Sequence, residues 1–479
     1  MEMMLKSKIL RNSGIYSVLN LFQKGTNFLL IPVLTAYLTT YDYGVIAVVT
    51  AINAVLNVFY LLSLNGSLNR FYYEYQNDED KVKKLFGTIV TFVFLVSMFL
   101  SLIIVIGHRW ILDPFLNNID FFPYMMLAMI SALFNPTFSI FQSTLQAKQH
   151  GKRFGKNNLM FFLTNITFLL LSVVVFNLGV KGVLGSLALT NIIFFIYTLS
   201  SFGKEIDFGI DFKILKSSLK YSLPLLPHSL SGVVTNVIDK LFVNNLLSTS
   251  FAGIYNIGNT FGSIVLLIAS GVNQAFVPWF NEQIKEEKYN EIPQKAKLLI
   301  MLYSIIALGL SFFGKEIIYF VTPETYHQAW EVIPFIAYAF VFHGVYYFFS
   351  APIFYDISGR GNRTLPFFTI SSAILNIALN LVLIPEYGII GAALATLISK
   401  FILVISLSFV YNKFLKIKYE KLTMIFIPLI YFIISLISYY PFKFYNGLFI
   451  KTAAFITILS VSAWLLKRDL KRLIRQETI

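Results

Sequence analysis

Hydrophobic residues run along this chain in long unbroken stretches parted by short polar gaps, instead of alternating with polar ones. The stretch LFGTIVTFVFLVSMFLSLIIVIG, Leu85 to Gly107, holds no ionisable residue and exceeds the ~20 residues that a helix needs to cross a ~30 Å hydrocarbon core. Many such stretches follow one another. In lipid every backbone N–H and C=O must find its partner within its own segment, so these runs predict helices; a membrane barrel would show ~10-residue alternation, which is absent from the pattern. The expected class is an all-α polytopic membrane protein.

Spans are expected at 13–38, 44–66, 85–107, 120–145, 157–178, 181–201, 218–246, 252–279, 297–314, 330–353, 364–384, 388–411, 422–440 and 446–466. Lys and Arg in short loops stay on the cytoplasmic side, which tests this list of 14. With both termini inside, the cytoplasmic segments hold 30 basic residues and the outer loops 4, while Lys24, Lys240, Lys400 and Lys451 lie within spans, which accounts for all 38. A miscounted helix would mix the two sides beyond that point. Met1 to Arg11 is basic, but the apolar stretch behind it continues to about Leu38 with no small-residue cleavage site, so it reads as a first span and not as a signal peptide. The expected location is a bacterial cytoplasmic (inner) membrane.

The chain also repeats itself. TTYDYGVIAVV (Thr39 to Val49) resembles STSFAGIYNIG (Ser248 to Gly258), with Leu38, Thr40 and Gly44 recurring as Leu247, Thr249 and Gly253, an offset of 209. LGVKGVLGSLALTN (Leu178 to Asn191) resembles YGIIGAALATLISK (Tyr387 to Lys400), where Gly179 and Gly182 fall on Gly388 and Gly391 at the same offset. A basic inner loop after the fourth span recurs as HGKRFGK (His150 to Lys156) and GRGNRT (Gly359 to Thr364). Because the offset covers an even number of spans, the halves insert the same way up and are expected to be related by an axis along the membrane normal. The expected plan is a six-helix lobe over 1–205, a second over 206–415 in parallel pseudo-twofold relation, and two extra helices with a basic tail over 416–479. Doubled bundles of this kind carry substrate between their halves by rocking, which favours transport over a mere scaffold.

Composition changes the picture only by exclusion. With 57% hydrophobic and 13% charged residues, 49 Phe and a mean hydropathy of +0.70, the chain cannot hide its apolar surface from water. The net charge of +14 lines the cytoplasmic face, where anionic headgroups lie, so no nucleic-acid partner is implied. Cysteine is absent, which removes disulfides, thiolate metal sites and cysteine nucleophiles. No P-loop, HExxH or grouped His and carboxylate cluster appears, so neither enzyme activity nor a cofactor is expected.

Two segments, YSLPLLPHSLSGVVTNVIDKLFVNNLLSTSFAGIYNIG (Tyr221 to Gly258) and LIPEYGIIGAALATLIS (Leu383 to Ser399), resemble the Wzx-type polysaccharide flippases of the multidrug/oligosaccharidyl-lipid/polysaccharide exporter superfamily. IPVLTAYLTTYDYGVIAVV (Ile31 to Val49) and LNRFYYEYQNDEDKVKKLF (Leu68 to Phe86) are similar to that family's amino-terminal segments, so the resemblance extends over essentially the whole chain. It implies a MATE-like fold and a flippase that moves an undecaprenyl-diphosphate-linked oligosaccharide to the outer leaflet. It also implies a central, often cationic cavity and antiport of H⁺ or Na⁺, with a polysaccharide polymerase as candidate partner. In this family an acidic residue followed by a basic one is common in span seven, where Asp239 and Lys240 stand here.

Charges within spans point to related positions by a separate route. An ionised side chain in a span costs a few kcal/mol, so it faces a partner, the bundle interior or water. A diphosphate crossing hydrocarbon needs cations, so Lys24, Lys240 and Lys400 are candidate substrate-binding residues, with Arg70 at the inner end of span two as a receiving group. Asp239 is the candidate for ion coupling, because a carboxylate in a low-dielectric site can alternate between charged and neutral forms. Each has a structural alternative: an ion pair for Lys24 and Asp239, lobe packing for Lys400, snorkelling for Arg70. Lys451, near an outer end, reads as a snorkelling lysine. Two rival functions are a polytopic polymerase or ligase, which would need a larger outer loop, and a drug/cation antiporter, which would need an acidic cavity.

Overall fold

The computed structural model describes residues 25–26, 28–203, 205–355, 361–444 and 447–477, giving only the helix path for 362–363, 437–444 and 464–477. Among the described residues the chain is helical and without strands. Among the described residues nine helical runs are long and apolar enough to cross a membrane, with shorter apolar helices at Phe28–Tyr37, Lys421–Leu436 and Leu448–Ala463. The chain divides into two compact units, Met1–Gly253 and Ile254–Ile479.

The first unit contains α1 (Phe28–Tyr37), α2 (Thr40–Leu61), α3 (Leu64–Tyr75), α4 (Glu79–Ile111) and the short α5 (Asp113–Leu116). It continues with α6 (Met126–Ala147), α7 (Gly151–Leu170), α8 (Gly179–Phe202), α9 (Phe212–Ser222), α10 (Leu226–Leu246) and the first turn of α11 (Thr249–Gly262). A core of Leu68, Phe86, Ile89, Phe141 and Phe202 packs α3, α4, α6 and α8 together. α2 starts at Thr39, whose hydroxyl accepts from the Asp42 N–H at 3.2 Å while Asp42 accepts the Thr39 N–H at 2.9 Å. This reciprocal cap satisfies two of the donors that every helix start leaves open.

The linker after α8 is stitched to the first unit. Asp207 N–H donates to the Lys83 carbonyl at 3.2 Å, Asp211 N–H donates to the Thr88 hydroxyl at 3.0 Å, and Gly87 lies so close that a Cβ there would collide with the Asp207 carbonyl. Glu205 closes the seam by accepting from Lys148 Nζ at 2.8 Å and Arg153 Nη1 at 2.7 Å. The Lys148 ammonium stands 5.2 Å from the Phe86 ring and the Arg153 guanidinium 5.3 Å from Phe141. These bonds fix the start of the linker on the first unit, which by packing extends to Gly253, whereas the repeat leads one to expect a boundary at 205.

Partial burial disfavours the Glu205 carboxylate, but its bonds and charges with Lys148 and Arg153 outweigh this and hold the group below the usual carboxylate range. A depressed native value means stability present above the unfolded value and lost as pH falls through the native one. Melting temperature is therefore expected to fall below pH ~4.5, and Glu205→Gln is expected to remove that acid limb while costing about 1 kcal/mol at neutral pH. A melting curve as steep in acid for the variant as for the parent would show that Glu205 is not responsible.

The second unit contains the rest of α11, then α12 (Ile264–Lys285), α13 (Glu291–Val321), α14 (Ile333–Phe354), α15 (Gly361–Val410), α16 (Lys421–Phe444) and α17 (Leu448–Glu477). α14 is buried along most of its length. α15 is one run of 50 residues, turned at Gly388, where φ is 59°. Its repeat equivalent, Gly179, begins α8 with φ 54°. Only glycine adopts this left-handed conformation without strain, which accounts for the glycines of the repeated motif.

Packing repeats too. Asn191 on α8 donates to the Ser131 hydroxyl on α6 at 2.9 Å, and the equivalent pair in the second unit puts the Lys400 ammonium 5.4 Å from the Phe340 ring. The residue pairs at the repeat offset therefore neighbour one another in both units. Span nine, expected at 297–314, instead extends to Val321 as part of α13, which brings Glu316 into a helix. Lys451 is accordingly not a snorkelling lysine: it is 3% exposed and its Nζ lies 2.6 Å from Glu316 Oε1. The partner was hidden because Glu316 lies 135 positions away, in a stretch that sequence places in a loop. One turn further along α17, Phe455 packs against Phe313 and over Gly309.

Candidate functional site

α2 and α10 lie antiparallel, and their register follows from contacts near both ends. Towards one end a Cβ at Gly44 would collide with the Thr249 carbonyl, and one at Gly253 would collide with the Thr40 carbonyl. Thr249 and Gly253 are the repeat equivalents of Thr40 and Gly44, so each residue meets the counterpart of its own partner. In lipid the hydrophobic effect does not pull helices together, and close approach at small residues supplies van der Waals contact instead.

Polar side chains seal this end, which is opposite the lysine-rich loops. Asn244, wholly buried, donates to the Leu116 carbonyl at 3.2 Å and accepts from the Thr249 hydroxyl at 2.8 Å. Asn117 donates to the Asn244 carbonyl at 3.4 Å, Asn245 to Pro114 at 3.2 Å, and the Tyr41 hydroxyl to the Asn118 carbonyl at 3.1 Å. The loop at 112–118 therefore ties the ends of α2 and α10 together.

At the other end of the pair the Ser63 and Ser229 hydroxyls are 3.1 Å apart. Here the helix of span two breaks: Leu62 and Ser63 have φ of 47° and 57°, left-handed values that cost non-glycine residues ~1–3 kcal/mol each. Ten residues back from Ser63, on α2, is Asn53, and ten on from Ser229, on α10, is Asp239, both within this helix pair. Asp239 is 4% exposed and Asn53 7%. The buried Oδ1 atoms of Asn53 and of Asn57, one turn on, have no hydrogen-bond partner among the described residues. α2 thus carries two buried amide acceptors and α10 one buried carboxylate.

Of the sequence candidates, Asp239 is buried and its neighbour Lys240 is half-buried on the adjacent face of α10. Arg70, exposed on α3, stacks its guanidinium 4.7 Å from the Tyr221 ring at the end of α9. Lys400 is in the second unit, 3% exposed, beside Phe340 and close enough to His343 for their charges to interact. His343 stacks on Tyr346 and meets Tyr347 edge-on, at 5.2 and 5.0 Å. Lys24 lies outside the described residues. Asp239 is thus buried on α10, Lys240 is half-buried beside it, and Arg70 lies on α3 at the lysine-rich end.

Asn53, Asn57 and Asn244 were not singled out from sequence because neutral amides carry no charge penalty to flag them. The i, i+4 pair within TAINAVLNVF was the available signal, since it puts two amides on one face of an apolar helix. No group of three or more His, Cys, Asp and Glu able to hold a metal ion is found among the described residues.

Fold and site together define a multi-pass helical membrane protein with an internally doubled plan and a polar seam inside it. The chain belongs to the family described as polysaccharide biosynthesis protein, whose model matches residues 9–284. It is 25% identical over 288 residues to a protein of the Lsg locus of Haemophilus influenzae, covering 59% of this chain and 68% of the relative. Its fold is similar to that of the lipid II flippase MurJ in an inward closed conformation, with a TM-score of 0.74 at 16% identity, covering 96% of this chain and 98% of the other. It is also similar to the Vibrio cholerae MATE transporter VcmN, with a TM-score of 0.58 at 12% identity over 85% of this chain and 96% of the transporter. The MATE-like fold and the membership in a polysaccharide family expected from sequence both hold.

Proposed function

We propose that the protein is a flippase of the bacterial cytoplasmic membrane, with both termini in the cytoplasm, moving an undecaprenyl-diphosphate-linked oligosaccharide to the outer leaflet by alternating access. The observation that carries this reading is Asp239, a carboxylate buried at 4% exposure on α10, the helix that packs against α2, whose Asn53 and Asn57 oxygens have no partner among the described residues. Burying an ionisable group within a span is costly and is retained where the charge has work to do. In this reading Asp239 couples transport to H⁺ or Na⁺, Lys24, Lys240 and Lys400 counter the diphosphate charge, and Arg70 receives the headgroup. A polysaccharide polymerase would take up the flipped product. Membership in a polysaccharide family supports a glycan cargo, and the shared fold with MurJ supports a lipid-linked one.

Coupling free energies between sites are ~1–3 kcal/mol, a factor of roughly 5 to 150. Asp239→Asn keeps the shape and removes the charge, so it is expected to lower flipping by a factor in that range, to abolish its dependence on the driving ion gradient and to leave the melting temperature near that of the parent. The check is appearance of lipid-linked oligosaccharide at the outer leaflet of cells or proteoliposomes. Gradient-dependent flipping at the parental rate in the variant would remove Asp239 from coupling. A parent chain whose loss causes no accumulation of lipid-linked oligosaccharide on the inner leaflet would end the flippase reading.

A further inference from the structure

α9 is amphipathic, with one face against protein and the other facing nothing in the first unit. Ile214, Leu215 and Ser218 are buried at 8%, 8% and 0% exposure against α3 and α4, while Lys213, Lys216 and Lys220 are exposed. At ~100° per residue those three lysines fall within a stripe about 60° wide and ~10 Å long. None of them makes an ion pair with a carboxylate among the described residues. The helix start is held by Asp211, whose carboxylate accepts from the Lys213 and Ile214 N–H groups at 2.9 and 3.1 Å. At that same end Phe212 is 78% exposed and Phe208 54% exposed. The helix then passes through the turn at Leu223–Leu225 directly into α10.

We propose that α9, with Phe208, Lys213, Lys216 and Lys220, is a docking surface for the anionic phospholipid headgroups of the membrane leaflet on the lysine-rich side. Two exposed rings beside an unpaired cationic stripe match a layer that offers phosphates and, just beneath them, acyl chains. A leaflet supplies many phosphates side by side along the ~10 Å stripe, where a single diphosphate headgroup offers two. A soluble acidic partner would satisfy the lysines but leave Phe208 and Phe212 in water. The inference rests on the orientation given above and is independent of the cargo. It makes α9 a lipid-reading element joined covalently to the helix that bears Asp239.

Each lysine near an anionic surface contributes roughly fivefold in binding, so the stripe is worth on the order of a hundredfold. The test uses the full chain in phosphatidylcholine nanodiscs with increasing phosphatidylglycerol, following hydrogen exchange of residues 207–222. Exchange is expected to slow as phosphatidylglycerol rises and to recover at high salt. The K213Q/K216Q/K220Q chain is expected to lose this response, and the K213R/K216R/K220R chain to keep it. Equal exchange with and without phosphatidylglycerol, or an undiminished response in the glutamine chain, overturns the proposal. Protection by farnesyl diphosphate in pure phosphatidylcholine equal to that by phosphatidylglycerol would also overturn it, by assigning the stripe to a diphosphate headgroup. None of these results depends on whether the cargo is an oligosaccharide.

Discussion

A Gly44→Val chain is expected to reach the membrane but to lose transport, because it cannot close the face opposite the lysine-rich loops. The added Cβ would strike the Thr249 carbonyl, a backbone atom that no rotamer change can move aside. Overpacking of this kind costs ~1–3 kcal/mol, and here the only relief is to part α2 from α11. That separation also breaks the alignment of Asn244 with Leu116 and Thr249. Gly253→Val is expected to do the same through Thr40, since the contact is reciprocal.

The absence of cysteine makes this measurable. Ala252, wholly buried beside Gly253, can be replaced by cysteine as a unique label site. Its reaction with a membrane-impermeant thiol reagent is expected to speed up by an order of magnitude or more when the closed state loses ~1.4 kcal/mol or more. Gly185 provides the control, because a Cβ there would meet nothing within 4 Å and valine should change neither labelling nor transport. Parental labelling together with parental transport in Gly44→Val would show that this contact is not a seal.

Lys451→Ala is expected to be the most destabilising single change in the second unit. It removes the ammonium 2.6 Å from Glu316 and leaves a carboxylate whose other oxygen is already buried without a partner among the described residues. Breaking a fully buried pair costs ~3–5 kcal/mol and replacing both members by apolar groups is often neutral; with Glu316 30% exposed the loss here is expected at about 2 kcal/mol. The purified single variant should therefore melt several degrees lower, and Glu316→Leu with Lys451→Met should recover most of the loss. The comparison isolates the stranded charge, since the double variant also lacks the pair. Equal losses in both chains would assign the effect to packing around Phe455 and not to charge.

The repeat, legible as matched glycines at an offset of 209, appears as paired left-handed turns at Gly179 and Gly388 and as the contacts of Gly44 and Gly253. These positions were readable because backbone conformation and close approach demand one residue type and leave it in the sequence. Lys451 misled for the opposite reason. Its partner is a single carboxylate 135 residues away, and nothing local separates a snorkelling lysine from a buried one. Asn53 and Asn244 were missed because an amide becomes informative only when the atoms around it are known. For Arg70 a place at the inner end of span two was legible, but the stacking on Tyr221 depends on how α3 meets α9.

Hydrophobic run length, basic-residue asymmetry and internal likeness needed nothing beyond the order of residues, because lipid imposes helix, orientation and approximate length on each segment by itself. The register of α2 on α10, the ion pair between α13 and α17, and the stitching of the linker to α4 arise between segments far apart in the chain. In a bilayer, where apolar faces gain little from meeting one another, that choice falls to a few glycines and polar side chains, and their partners exist only once the helices have packed.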